Sequence, residues 1–161
     1  MYLRAVMDWH SRKALGRQLS NTMDTRLCLA AFEKAPRSGN RTPGILNTEQ
    51  GSQFTSREWT WRLEAVGVRI SMDGAGRWMD NVFIGRLWRS VEYECVYPHG
   101  SADVRVMGAK LERWFEHCNR RRPHQALGNR TPAHCYGKAL SSGQAGRRLP
   151  AERARHERPL T

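Results

Sequence analysis

What this sequence lacks narrows its reading first. None of its four cysteines, Cys28, Cys95, Cys118 and Cys135, forms a C-x-x-C pair, which leaves reduced packing residues rather than a zinc ribbon or a disulfide framework. His117–Cys118 and His134–Cys135 are metal-ligating residue types. No i,i+3 or i,i+4 pair occurs among these four residues, so accident stands ahead of a zinc site. No apolar run approaches the roughly 20 residues of a membrane span, and no signal-peptide core opens the chain. The expected partner is therefore no membrane, and the expected compartment is the cytosol. Carboxylates are scarce too: 15 Asp+Glu face 27 Lys+Arg, a formal charge of +12. Most of those cations are arginine, which grips phosphate bidentately and stacks on bases. The excess therefore favours nucleic acid over a merely basic soluble protein or a membrane-surface binder.

With 161 residues the chain has room for one domain with a sizeable core. Tyr2–Ser20 reads as a hairpin turning at Asp8–Lys13. Thr22 or Asp24 caps a helix over Thr25–Lys34, with Leu27, Ala30, Ala31 and Lys34 on one side. The turn-rich RSGNRTPG leads into GILN, a short buried strand that delivers Glu49 at its end. Ser56 opens a helix that Gly67 closes, and VRISM makes another strand. Asp80 or Asn81 caps a long helix, DNVFIGRLWRSVEYECVY, with Val82, Phe83, Leu87, Val91 and Cys95 as its apolar stripe. Ser101 or Asp103 starts a helix to about Arg120. The order is that of an α/β domain with a small mixed sheet, and function in such a sheet gathers at strand C-termini. Residues 1–136 form the domain. Residues 137–161, poor in large apolar side chains, read as a disordered basic tail.

Four ordered stretches, DWHSRKALGRQLSN, NTEQGSQFTS, ISMDGAGRWMDNVFIGRLWRS and NRRRPHQALGNRTPAHCY, resemble the integrase core of IS3-family insertion-sequence transposases. The resemblance covers about Tyr2 to Tyr136. It implies a ribonuclease-H-like mixed sheet flanked by helices, lacking here its first strand. It also implies a DDE recombinase that cuts and joins DNA for transposition. Such chemistry uses two Mg²⁺ ions about 4 Å apart, and hard cations of this kind take carboxylate oxygens, so three acidic residues must converge.

Each of the three positions departs from the family's pattern. The first Asp lies on a strand upstream of Met1. The second is Glu49, one methylene longer, and the third is Gly85. Residues 50 to 84 separate these two positions, the family's spacing. Glu92 lies two helical turns beyond Gly85, about 10 Å away, and Asp80 fits a cap better than a ligand. The expected metal contribution is thus Glu49 alone, with Mg²⁺ not held productively and the isolated chain inactive as a nuclease. An upstream transposase segment or a second copy could complete it. The alternative is a degraded remnant that acts at most as a non-specific DNA-binding module. For DNA contact the candidates are Arg77, Arg86 and Arg89 around the long helix, and Arg120, Arg121, Arg122 and His124 in NRRRPH. A solvated helix face remains open for Arg86 and Arg89. Trp59, Trp61, Trp78, Trp88 and Trp114 divide between core packing and base stacking.

Overall fold

The computed structural model describes residues 1–39, 41–48, 51–72, 82–99, 103–142 and 150–152. The chain opens with β1 (Tyr2–Asp8) and β2 (Ala14–Ser20), an antiparallel hairpin. Its turn is built by Asp8, whose buried Oδ2 accepts from the Ser11 backbone N–H at 2.8 Å and from Ser11 Oγ–H at 2.6 Å. Arg12 completes it in the left-handed region, φ +63°. Then come α1 (Thr25–Gly39), β3 (Ile45–Thr48), α2 (Ser52–Thr55), α3 (Arg57–Ala65) and β4 (Arg69–Met72). Of the two candidate caps of α1, Asp24 serves, its Oδ1 accepting from the Leu27 N–H at 2.9 Å. Ser56 Oγ accepts from the Trp59 N–H at the start of α3, and Gly67, φ +74°, ends that helix. Both termini follow the residue chemistry that predicted them.

Next are α4 (Val82–Val91), a wide π-type turn over Glu92–Val96, a 3-10 turn over Tyr97–His99, α5 (Val104–Arg120), and α6 (Pro132–Ser141). The single helix expected through Tyr97 is thus helical throughout but loosens after Val91. Asp80 and Asn81, its candidate caps, lie outside the described residues. The residues expected as a tail from 137 onward begin inside α6, which runs to Ser141. Further on, Pro150–Glu152 forms β5.

β5 completes a five-stranded sheet in the order β2-β1-β5-β3-β4. It runs antiparallel to β1, pairing Met7 with Glu152 and Asp8 with Ala151. It runs parallel to β3, pairing Leu46 with Ala151 and Asn47 with Glu152. The place between β1 and β3, expected to lack a strand, holds this short one. The physical reason is the open row of N–H and C=O groups along β1, which any extended segment can pair. β1 outlasts its neighbour: among the described residues, Tyr2 to Val6 find no strand on that side.

Alternation along β1 sorts the core into two layers, as a pleated strand requires. Leu3, Ala5 and Met7 face Ile84, Trp88 and Val91 of α4 and Met107, Leu111 and Phe115 of α5. Val6 faces the opposite layer, with Cys28, Ala31 and Phe32 of α1, Phe54, and Trp59 and Leu63 of α3. Two expected helical stripes sit differently. On α1 the buried residues are Leu27, Cys28, Ala31, Phe32 and Ala35, and Lys34 is exposed. On α4 the buried row is Ile84, Trp88, Val91 and on to Cys95, while Phe83 and Leu87 are only partly buried. The larger Trp88 claims the core: Val91 and Cys95 of the expected row are buried, while Val82, Phe83 and Leu87 are only partly so.

Candidate nucleic-acid face

Three elements meet at one face: the β1–β2 turn, the expected catalytic helix α4, and the loop that follows α5. Asn119 joins two of them. Its side-chain amide is buried, accepting from the Ala14 N–H at 3.0 Å and donating to the Ala14 carbonyl at 2.9 Å. The end of α5 is thereby clamped to the start of β2. The chain then leaves the helix with Arg121 and Arg122 N–H groups both donating to the His117 carbonyl. A compact turn follows in which His124 and Arg130 form an antiparallel bridge, closed by Gly128 and Asn129 in the left-handed region. Thr131 caps α6 by accepting from the His134 N–H, with Pro132 in the first turn. NRRRPHQALGNRTP is thus a rigid bracket rather than a free loop.

This bracket brings Arg122 and His124 opposite Arg86 and Arg89 of α4, and all four line one cleft of about 420 Å³. Arg12 of the hairpin turn joins them, its guanidinium 3.2 Å from the Phe83 ring centroid. Sequence reasoning missed Arg12; its only signal was a cation inside a turn motif. Arg122 donates to Glu94 Oε2 at 2.5 Å, and the Trp114 indole N–H donates to the same oxygen at 3.1 Å. These bonds hold the Glu94 carboxyl below the usual carboxylate range, Arg122 contributing most. Burial, aided by the neighbouring charges of Arg122 and Arg12, lowers the His124 pKa. Arg86 and Arg89 are exposed, and the Arg89 guanidinium sits 5.7 Å from the Tyr93 ring centroid.

The other candidates are not gathered here. Arg120 pairs with Glu116 at 2.6 Å one helical turn away, and it lines a different hollow, with Lys13, Arg17 and Lys34. Arg121 is exposed and does not line the cleft. Arg77 and Trp78 lie outside the described residues, as does Glu49. Of the tryptophans, Trp59 and Trp88 are core, Trp61 is 70% exposed, and Trp114 is half-buried at the cleft.

The metal pair implied by the sequence resemblance meets a poor set of donors. Gly85 is exposed, with open space around the position of a Cβ, and supplies no ligand atom. Asp8, a buried carboxylate, is committed to the Ser11 hydroxyl and N–H. Among the described residues no three His, Cys, Asp or Glu side chains converge. The described residues do not fit a two-metal centre.

Comparison with known proteins agrees with this architecture. Two family profiles, both described as "Integrase core domain", match residues 1–77 and 66–132. The transposase InsF for insertion sequence IS3A of Escherichia coli is 27% identical over 144 residues, covering 88% of this chain and 50% of that protein. The chain thus spans about half the length of this curated relative. Among solved structures, the catalytic core domain of BIV integrase superposes with a TM-score of 0.67 at 14% identity, covering 88% of this chain and 89% of that one. The HTLV-2 integrase core solved with magnesium gives 0.58 at 14% identity, covering 83% and 84%. Among the described residues no helix is long and apolar enough to cross a membrane. Consecutive profile matches over residues 1–132 and the ribonuclease-H-like sheet agree: the chain belongs to the integrase core domain family.

Proposed function

We propose that this chain is a transposase-type integrase core that binds DNA through the cleft between α4 and the bracket after α5, and that it does not cleave DNA by itself. One observation carries the binding half: Arg86 and Arg89 from one element and Arg122 and His124 from another line the same cleft. Convergent guanidinium groups track phosphate and release counterions, giving salt-dependent affinity with little sequence preference. The second half rests on Gly85, which leaves the third ligand position without an oxygen, and on Glu49 standing where the family has Asp.

The test has two arms. Fluorescence anisotropy with a blunt duplex should show affinity falling steeply as salt rises from about 50 to 200 mM, and the double variant Arg86→Glu/Arg89→Glu should weaken binding and flatten that slope. Salt-independent affinity would refute the electrostatic reading. Plasmid nicking in Mg²⁺ or Mn²⁺ should be absent; nicking abolished by Glu49→Gln would refute the inactive reading. A second reading is favoured by the edge of β1 from Tyr2 to Val6, which no strand among the described residues pairs: a strand from an upstream transposase segment, or from a second copy, adds to the sheet there. Co-expression with such a segment should then give a stable complex.

A further inference from the structure

The cleft described above is more than a charged groove, because its floor is apolar. Phe83, Leu87 and Trp114 are partly buried against the core layer of α4 and α5, and they also line this cleft. Phosphate recognition alone makes no use of the apolar surface they leave open to it. The Trp114 ring is fixed at its edge by the bond to Glu94, and stands at right angles to Phe115 with centroids 5.1 Å apart. It is held in place before any ligand arrives. About 420 Å³ lies within the range of about 300–1,000 Å³ of small-ligand sites, ample for one planar ring system. Apolar floor and cationic rim together suit a ligand with an aromatic face and an anionic flank, and a nucleotide has both.

Bases in a duplex hide their faces in the stack, so such a floor is useless to blunt double-stranded DNA. An unpaired base can swing out and stack on aromatic side chains. We propose that this cleft holds one unstacked nucleotide from a single-stranded DNA segment, the base against Trp114 and Leu87 and its flanking phosphates on Arg86 and Arg89. His124, kept neutral by burial and by its arginine neighbours, offers one donor and one acceptor to the base edge. This rests on the DNA-binding reading above but asks for more than duplex affinity.

The experiment compares a blunt duplex with the same duplex carrying a short single-stranded overhang, by fluorescence anisotropy at fixed salt. The overhang should tighten binding by about tenfold, the scale of one base–aromatic stack. Leu87→Trp, which fills the floor, should abolish that gain, so that the variant binds the two DNAs alike. Ala126→Trp, at an exposed residue lining the same cleft, repeats the test if Leu87→Trp misfolds. Equal affinity for the two DNAs, or a gain that survives both fillings, would overturn the nucleotide site while leaving the duplex face standing. Binding to neither DNA would overturn both.

Discussion

Arg4 sits in the middle of β1 with 1% of its surface exposed, and among the described residues Nε, Nη1 and Nη2 have no oxygen or nitrogen hydrogen-bond partner, the Cys28 thiol being the polar group beside them. Its guanidinium lies 5.6 Å from the Phe54 ring centroid. It also acts on Cys28, whose thiol is pushed up by burial and drawn back in part by this charge. A desolvated cation–π contact returns about 2 kcal/mol. Each buried donor left unmade costs about 1–3 kcal/mol, so three nitrogens outweigh the ring contact. Arg4→Met keeps an unbranched chain of similar reach and removes the charge, and such replacements stabilise by about 1–4 kcal/mol. At about 2–4 °C per kcal/mol for a chain of this size, we expect a melting temperature roughly 2–16 °C higher. The urea midpoint should rise without a change in slope. Arg4→Lys, which keeps the charge, should give no gain. A lower midpoint for Arg4→Met would refute the reasoning and mean that the guanidinium meets an anion.

Further expectations follow from particular contacts. A Cβ on Gly16 would meet the Ala31 carbonyl oxygen at 2.0 Å and the Ala35 nitrogen at 2.9 Å. Gly16→Ala should therefore force α1 off β2 and cost at least about 1–3 kcal/mol, whereas exposed Gly85→Ala should stabilise by up to about 1 kcal/mol; equal effects in chemical denaturation would contradict this packing. Asn119→Ala strands the N–H and C=O of Ala14 and should cost about 2–4 kcal/mol, with Asn119→Asp no better because it cannot donate to the Ala14 carbonyl; a neutral Asn119→Ala would show that the clamp is dispensable. For Glu94 the folded pKa is depressed, so its contribution is present above the ordinary carboxylate pKa and lost as pH falls through the folded value. Both partners are over a third exposed, which limits the pair to about 1 kcal/mol. Glu94→Gln should be slightly less stable than the parent at pH 7 and equal to it in strong acid, and a gap constant with pH would rule the ion pair out as its source.

Much of the fold was legible because it is written locally. The hairpin, the caps at Asp24 and Ser56, and the stop at Gly67 each follow from side-chain chemistry within a few residues. The rotation of α4 was not, since Phe83 and Leu87 fit a helical stripe as well as Ile84 and Trp88 do, and only packing against β1 and α5 decides between them. β5 carried no local sign: three residues, Pro150–Glu152, have neither alternation nor a branched side chain, and their pairing is entirely long-range. The candidate site divides in the same way. Arg86, Arg89, Arg122 and His124 were named from motifs, and their convergence depends on the Asn119 clamp. Arg12 needed the third dimension.

The place of β5 also sets an order of events. It is synthesised after every other described element, yet it lies between β1 and β3. On the ribosome the hairpin and α1, close in sequence and tightly packed, can assemble early. The two halves of the sheet must then wait, edge to edge, until residues 150–152 have emerged. Contacts spanning nearly the whole chain close slowly, and throughout that interval the exposed edge of β1 is open to any strand nearby, including that of another nascent copy on the same message. Translation speed between β4 and β5 thereby becomes a determinant of how much of this protein reaches its folded form.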